Sequence, residues 1–264
     1  MPDRKRGSLT VVGTGYSVGG QTTAEARAHL EIAERLVYAT GDPVSRLWVE
    51  GINPRAETLT DAYAAGKLRR ETYREMVERI LAPVRRGERV CAAFYGHPGV
   101  GVEPSHAAIR RARDEGFEAR MLPGVSAEDC LFADLGLNPL SDGCQSFEAT
   151  DFLLRGRTPD TAVPLILWQI GIIGVEVYRE EQLWSREGLA LLAEVLGRHY
   201  PPEHECTVYE AAMLPVCAPV IERVVLRDLP ETPVTTASTL YVPLRERAPV
   251  DPAMRERLGL GRGM

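Results

Sequence analysis

Tyrosines and arginines crowd one short stretch of this chain. The run Asp61-Ala-Tyr63-Ala-Ala-Gly-Lys-Leu-Arg69-Arg70-Glu-Thr-Tyr73 sets phenols beside guanidinium groups, and Tyr95 follows at the end of an apolar segment. If the helix ahead extends back to Arg69, then Arg69 and Tyr73 are i,i+4 neighbours on one face. A guanidinium close to a phenol favours the phenolate and lowers a reference pKa of about 10. That pairing suits removal of a proton beside a fixed positive charge. A plainer arrangement fits the same residues. Tyr73, Met76, Val77, Ile80, Leu81 and Val84 form an apolar stripe, in which Tyr73 is the first core residue and Arg69 a solvated charge. Spacing alone favours the plainer arrangement.

Three glycine-bearing segments offer places for a ligand. Gly13-Thr-Gly15 closes the apolar run Leu9–Val12, but Val18 stands where a dinucleotide loop needs its third glycine, and no Walker lysine follows. This disfavours a nicotinamide dinucleotide fold and leaves a tight turn that lets a ligand approach the backbone. Tyr95-Gly-His97-Pro-Gly-Val100 comes directly after the strand-like run Arg89–Tyr95. It exposes backbone groups at the carboxyl end of a strand, where open α/β sheets bind ligands. Taken alone, His97 is better explained as a loop histidine bonded to backbone than as a ligand contact. Leu122-Pro-Gly-Val-Ser126-Ala127-Glu opens a helix that Ser126 can cap, and free N–H groups there suit a carboxylate. An ordinary capped helix accounts for it as well.

The elements that must position these residues follow a strand–helix alternation. Thr22 with Glu25 predicts a capping box, and Ala26, Leu30, Ala33 and Val37 continue at helical spacing. Pro104 to Glu115 predicts a helix with Gly116 as its stop, and Phe117–Leu122 the next strand. This rhythm implies a largely parallel sheet. Beyond Pro123-Gly124, a hinge candidate, Ser126 begins a helix through Leu135. Strands are expected at Gln145–Ala149, Val163–Gln169, Cys206–Ala211, Val220–Leu226 and Ser238–Val242, with a helix at Gly188–His199 among them. The expected organisation is an α/β unit over 1–122, a mixed α/β unit over 123–247 and a peripheral tail over 248–264, with a ligand cleft between the two units.

Composition narrows the function classes. A net charge of -6 argues against a nucleic-acid surface. The five cysteines (Cys91, Cys130, Cys144, Cys206, Cys217) form no CxxC pair and have no histidine at ligand spacing, which suits reduced thiols and no metal site. No stretch approaches the roughly 20 apolar residues of a membrane span, and the basic start has no apolar run of signal-peptide length. The expectation is a cytoplasmic protein with neither nucleic-acid nor membrane partners.

The glycine-rich first loop, the loop after the later strand and the Pro-Gly-Val-Ser segment, in this order, resemble the tetrapyrrole methylases. That resemblance implies a class III methyltransferase fold of two α/β subdomains, with S-adenosylmethionine in the cleft and S-adenosylhomocysteine as product. It further implies cofactor contacts at Tyr95, His97, Val100, Ser126, Ala127 and Gln169, and with less support at Ala211, Ser238 and Thr239. Tyr95-Gly-His-Pro-Gly-Val, Leu122-Pro-Gly-Val-Ser-Ala-Glu-Asp-Cys, Gln145-Ser-Phe-Glu-Ala-Thr-Asp and Leu167-Trp-Gln are similar, more narrowly, to the borosin peptide backbone α-N-methyltransferases. The general tetrapyrrole methylases usually carry an aspartate where His97 stands.

The borosin resemblance implies catalytic roles for Tyr63, Arg69, Tyr73 and Tyr95, with Arg70 adjacent to Arg69 as a one-residue ambiguity. A peptide nitrogen is a poor nucleophile because its lone pair is delocalised into the carbonyl. Tyr73 or Tyr63 would take the amide proton as phenolate, Arg69 would polarise the carbonyl oxygen, and Tyr95 would orient donor or acceptor. In fused members the acceptor is a C-terminal extension. The ending Leu-Gly-Leu-Gly-Arg-Gly-Met carries no apolar core peptide, so the expectation is a separate precursor methylated in trans as part of making a ribosomal peptide natural product. A homodimer is implied by the resemblance alone. Two other readings stand beside this one: a carbon methylase of a corrinoid or porphyrin precursor, and a cofactor- or precursor-binding module without catalysis.

Overall fold

The computed structural model describes residues 7–17, 19–179 and 184–260. Val18, most of the basic start and the last four residues of the tail lie outside them.

The first sheet consists of β1 (Ser8–Gly13), β2 (Arg35–Ala39), β3 (Glu57–Thr58), β4 (Arg89–Phe94) and β5 (Glu118–Leu122). They run parallel in the order β3-β2-β4-β1-β5. Helices α1 (Ala24–Ile32), α2 (Pro43–Ile52), α3 (Arg69–Arg85) and α4 (Glu103–Asp114) make the crossovers. Leu9, Val11, Val90, Ala92 and Phe94 pack on α3 and α4, while Val12, Cys91 and Ala93 pack on α1 and α2. Burial on both faces explains why these strands are continuous apolar runs rather than alternating ones. The carboxyl ends of β1, β4 and β5 all emerge on one edge, and each carries one of the glycine-bearing segments.

The second sheet is mixed. It contains β6 (Gln145–Glu148), β7 (Leu165–Trp168), β8 (Glu205–Glu210), β9 (Val220–Val225) and β10 (Thr239–Val242), in the order β6-β7-β10-β8-β9. Only the β6–β7 pair in it is parallel. Helices α7 (Ala149–Leu154) and α8 (Arg186–Leu196) cover one face with a large apolar cluster, and α5 (Ala127–Leu135) covers the other. A short helix α6 (Pro139–Asp142) leads into β6, and α9 (Pro252–Arg257) has no buried residue.

Two local expectations are corrected. The spacing of Ala26, Leu30, Ala33 and Val37 does not belong to one helix: α1 ends at Ile32, Ala33 turns extended, and Val37 lies inside β2. Ala26, Leu30 and Ala33 are buried together on one face of the sheet, whereas Val37 is buried on the other, so the helical spacing at Val37 is coincidental. The cap of α1 is Thr23, whose hydroxyl accepts the Ala26 N–H at 3.1 Å. The Thr22 hydroxyl instead donates to the Thr14 carbonyl at 2.6 Å, tying the helix to the first glycine loop.

Candidate active site

The three glycine segments meet backbone to backbone. A Cβ at Gly13 would lie 2.4 Å from the Gly96 carbonyl oxygen and 2.9 Å from Gly124 Cα; one at Gly124 would lie 2.5 Å from the same oxygen. Side chains are excluded from both positions by space alone. Gly15 and Gly96 exchange backbone hydrogen bonds (3.3 and 2.8 Å), and both sit at positive φ. Gln21 completes the first loop: its side-chain oxygen accepts the N–H groups of Tyr16 and Ser17, both at 2.8 Å. The result is a floor built from backbone at the carboxyl edge of the first sheet.

Beside this floor stand the tyrosines and the arginine. Tyr63 follows a one-turn 3-10 helix, Thr60–Ala62, and its N–H bonds the Thr60 carbonyl at 3.2 Å. Lys67 donates to the Ala62 carbonyl at 2.8 Å, folding the Tyr63–Lys67 turn on itself. Helix α3 starts at Arg69 itself, so Arg69 and Tyr73 do share a face one turn apart. Below them Met76, Val77, Ile80, Leu81 and Val84 are buried, as the stripe predicted, and Tyr63 and Tyr73 pack against that cluster from its rim. The plain and the chemical arrangements are therefore compatible: the stripe anchors α3, and its first turn projects past the core.

Electrostatics link the four groups. Burial pushes the Tyr63 phenol well up, and neighbouring Tyr73, through charge and a hydrogen bond, raises it further; Arg69 pulls the other way and is outweighed. Burial also raises Tyr95, followed by Tyr73, again against Arg69. Tyr95 keeps 45% of its surface open, yet its hydroxyl end is crowded by protein, so desolvation wins there. Among the described residues, Arg69 has a buried Nε without a hydrogen-bond partner, whereas Arg70 is exposed. A guanidinium N–H left unsatisfied inside protein is costly unless something else accepts it.

The family model of the tetrapyrrole (corrin/porphyrin) methylases matches residues 8–224. The chain belongs to the tetrapyrrole methylases. Solved structures agree at the level of fold: the uroporphyrin-III C-methyltransferase of Thermus thermophilus is 20% identical with a TM-score of 0.65, over 94% of this chain and 99% of its own. A cobalt precorrin-4 methyltransferase is 16% identical with a TM-score of 0.64, over 92% and 97%. The narrower likeness to the borosins is borne out by relatives of higher identity. A methyltransferase/ribosomally synthesized type I borosin cyclic peptide precursor of Serendipita vermifera subsp. bescii is 41% identical over 97% of this chain and 63% of its own length. The methyltransferase/ribosomally synthesized omphalotin A precursor of Omphalotus olearius is 40% identical over 92% and 59%. The chain thus spans about three-fifths of the curated relatives it matches.

Within this methylase fold the other positions expected to contact a donor differ in availability. His97 Nδ1 accepts the Gly99 N–H at 2.9 Å, which is the loop role its context predicted. Val100 stays 43% exposed at the same loop. Ser126 caps α5 in a reciprocal box: its hydroxyl accepts from Asp129 N–H at 3.1 Å, and the Asp129 carboxylate accepts its N–H and hydroxyl, both at 2.7 Å. The Ser126 N–H therefore already has a carboxylate, and Ala127 begins the helix half-buried behind it. Gln169 ends β7 at φ 61, the only non-glycine residue of positive φ among the described residues. Ala211 is buried just after β8. Ser238 is fully buried with its hydroxyl bonded to Glu210, and Thr239 follows it, buried at the start of β10.

Residues at the site with no assigned part in the sequence reading are Tyr16, Tyr178 and Glu210. Tyr16 meets Tyr95 edge to face, ring centres 6.0 Å apart, and burial raises its phenol, with Tyr95, Glu210 and Cys130 adding to the effect. Its place directly after Gly15 was the available signal. Tyr178 lies 5.1 Å from Tyr63, ring to ring, and nothing local in the sequence announces it. Glu210 accepts the Thr235 hydroxyl at 2.7 Å as well as that of Ser238, which brackets the loop behind Gln169. Among the described residues, no three His, Cys, Asp or Glu side chains gather to hold a metal, and no helix is long and apolar enough to cross a membrane.

Proposed function

We propose that this chain is an S-adenosylmethionine-dependent methyltransferase that α-N-methylates backbone amides of a separate peptide precursor, in the making of a ribosomally synthesised peptide product. The observation carrying the proposal is Arg69: a buried, unpaired guanidinium N–H set among Tyr63, Tyr73 and Tyr95. An amide losing its proton places charge on its oxygen, and a preorganised cation is what that oxygen requires. The names of relatives at 40–41% identity, which join a methyltransferase to a peptide precursor, support the same acceptor class.

The cleft rim fits the methyl donor. Tyr95 and Val100 leave apolar surface open at the end of β4, where Val90 to Phe94 are all buried, and the glycine floor brings bare backbone beside it. We assign Tyr95, His97, Val100, Ser126, Ala127, Gln169, Ala211, Ser238 and Thr239 to holding it; Ser238, its hydroxyl committed to Glu210 and its N–H to Thr235, would contribute through packing. When bound, the donor supplies a methyl group on a sulfonium, a good leaving group. The halves 1–122 and 123–247 would form the two walls.

The chain's own residues divide the remaining work. Tyr63 and Tyr95, raised by burial, stay protonated and donate hydrogen bonds. Tyr73, one helical turn on from Arg69 on the same face of α3, is the group assigned to take the amide proton. Arg69 Nε faces the developing oxygen charge. A homodimer and a cytoplasmic site of action belong to the same proposal, and sedimentation reads the first.

The test supplies the acceptor as a separate polypeptide: the part of the Omphalotus olearius relative that this chain does not match. Intact-mass analysis after co-expression should show whole-methyl increments on that polypeptide. Tyr73→Phe protein that folds and binds the donor should add none at a measurable rate. An unmodified peptide with wild-type enzyme, alongside turnover of a precorrin, would select the carbon-methylase reading instead. Donor and peptide binding with no methyl gain on any acceptor would favour a binding module.

A further inference from the structure

The segment after Gln169 crosses from the second sheet to the catalytic stretch. Gly171 packs so tightly on Thr235 that a Cβ there would lie 2.0 Å from its carbonyl oxygen. The Gly174 N–H bonds the Thr150 hydroxyl at 3.2 Å, and Gly174 turns the chain at φ 73. Beyond it, Glu176 to Tyr178 lie antiparallel against Gly66 to Arg69 as a one-residue-pair bridge, Leu68 opposite Val177. Three backbone hydrogen bonds close it: Gly66 N–H to Tyr178 O at 3.1 Å, Tyr178 N–H to Lys67 O at 3.0 Å, and Arg69 N–H to Glu176 O at 2.9 Å.

The last of these bonds matters most. Arg69 is the first residue of α3, and no side chain caps that helix. Its N–H is among those a helix leaves without an internal partner. Here the partner comes from the other half of the molecule. The same strap lays the Tyr178 ring against Tyr63. One short run thus holds both the backbone that aims Arg69 and the ring that backs Tyr63, and its other end is Gln169.

We propose that Tyr178, through the 174–178 strap, is a positioning residue that sets Arg69 and Tyr63 in register with the donor side of the cleft. The proposal rests on the peptide N-methyltransferase reading for its kinetic readout, and its structural readout is independent of that reading. Tyr178 acts through its ring and backbone, so a phenyl ring suffices. Gly174 supplies the turn: a Cβ there would meet nothing within 4 Å, so Gly174→Ala perturbs the strap through φ alone.

Three variants test this: Tyr178→Ala, Tyr178→Phe and Gly174→Ala. The first readout is hydrogen exchange at the amides of Gly66, Arg69 and Tyr178 in the full chain without peptide. Tyr178→Ala and Gly174→Ala should speed it, and Tyr178→Phe should leave it as in wild type. The second readout is single-turnover methylation of the Omphalotus olearius segment with donor affinity measured separately. A misplacement of about 1 Å costs on the order of 10²-fold in rate, so Tyr178→Ala should lose about that much kcat with donor Kd unchanged, and Tyr178→Phe should restore it. Folded Tyr178→Ala with wild-type exchange and wild-type kcat overturns the proposal, as does a Tyr178→Phe protein as impaired as the alanine variant. If wild type methylates no peptide, the functional reading fails while the exchange data still decide the strap.

Discussion

The two sides of the cleft are held in opposite ways. On the glycine side groups hold one another: Gly13, Gly96 and Gly124 touch through backbone, Ser126 and Asp129 cap each other, and Ser238 is bonded to Glu210. On the tyrosine side groups are left wanting: among the described residues Arg69 Nε has no hydrogen-bond partner, and the Tyr63 and Tyr95 phenols are kept neutral by burial. Saturated polar groups make a surface rigid, and unsatisfied ones store a demand that a bound reactant can meet. On the proposed reading, the contrast separates a side that holds the donor in one pose from a side that responds to charge as it develops.

The largest effect expected from breaking this contrast is at Arg69. Arg69→Gln should lower kcat by about 10²- to 10³-fold, as for loss of one oxyanion donor. Its unfolding free energy should hold or rise, because a buried unpaired N–H disappears. Arg70→Gln, at an exposed position, should change neither; equal losses at both positions would dissolve the distinction.

On the opposite side the order of effects should invert. Gly124→Ala puts a methyl 2.5 Å from the Gly96 oxygen, with backbone on both sides, and should cost about 3 kcal/mol in urea unfolding. Ser126→Ala should cost about 1 kcal/mol, the value of an N-cap, with methyl transfer reduced only through donor affinity.

The smallest effect concerns pH. Burial and the hydrogen bond to Glu50 raise Tyr38 to about 12. A phenol whose folded pKa is raised contributes stability that is whole below its unfolded value of about 10 and is lost as pH climbs toward the folded one. The urea midpoint should therefore be flat up to that lower value and fall above it, and Tyr38→Phe should flatten the fall.

Much of the fold was legible because two-sided burial writes strands as unbroken apolar runs: β1, β4 and β5 are found within a residue or so of where those runs lie. β2 was not, because Ala33 and Val37 happen to extend the period of α1, and no glycine or proline marks the break at Ala33. The cap fell to Thr23 rather than Thr22 because adjacent threonines carry the same local signal, and only the reach to Thr14 tells them apart. At the site, the glycine segments were legible from composition alone. The choice between Arg69 and Arg70 was not, since it depends on which one the α3 start turns inward. Tyr178 was hidden altogether, since its partner lies more than a hundred residues earlier and meets it only through the fold.

The junction of Gly13, Gly96 and Gly124 also limits how this protein can vary. Where these segments cross, space excludes a side chain at Gly13 and Gly124 and positive φ disfavours one at Gly96, so this corner of the proposed donor site cannot be reshaped by enlarging a residue. Any drift toward a bulkier or different acceptor must therefore be accommodated on the opposite wall, around Tyr63, Tyr178 and the first turn of α3. For redesign, that wall is the adjustable jaw and the glycine crossing the fixed one.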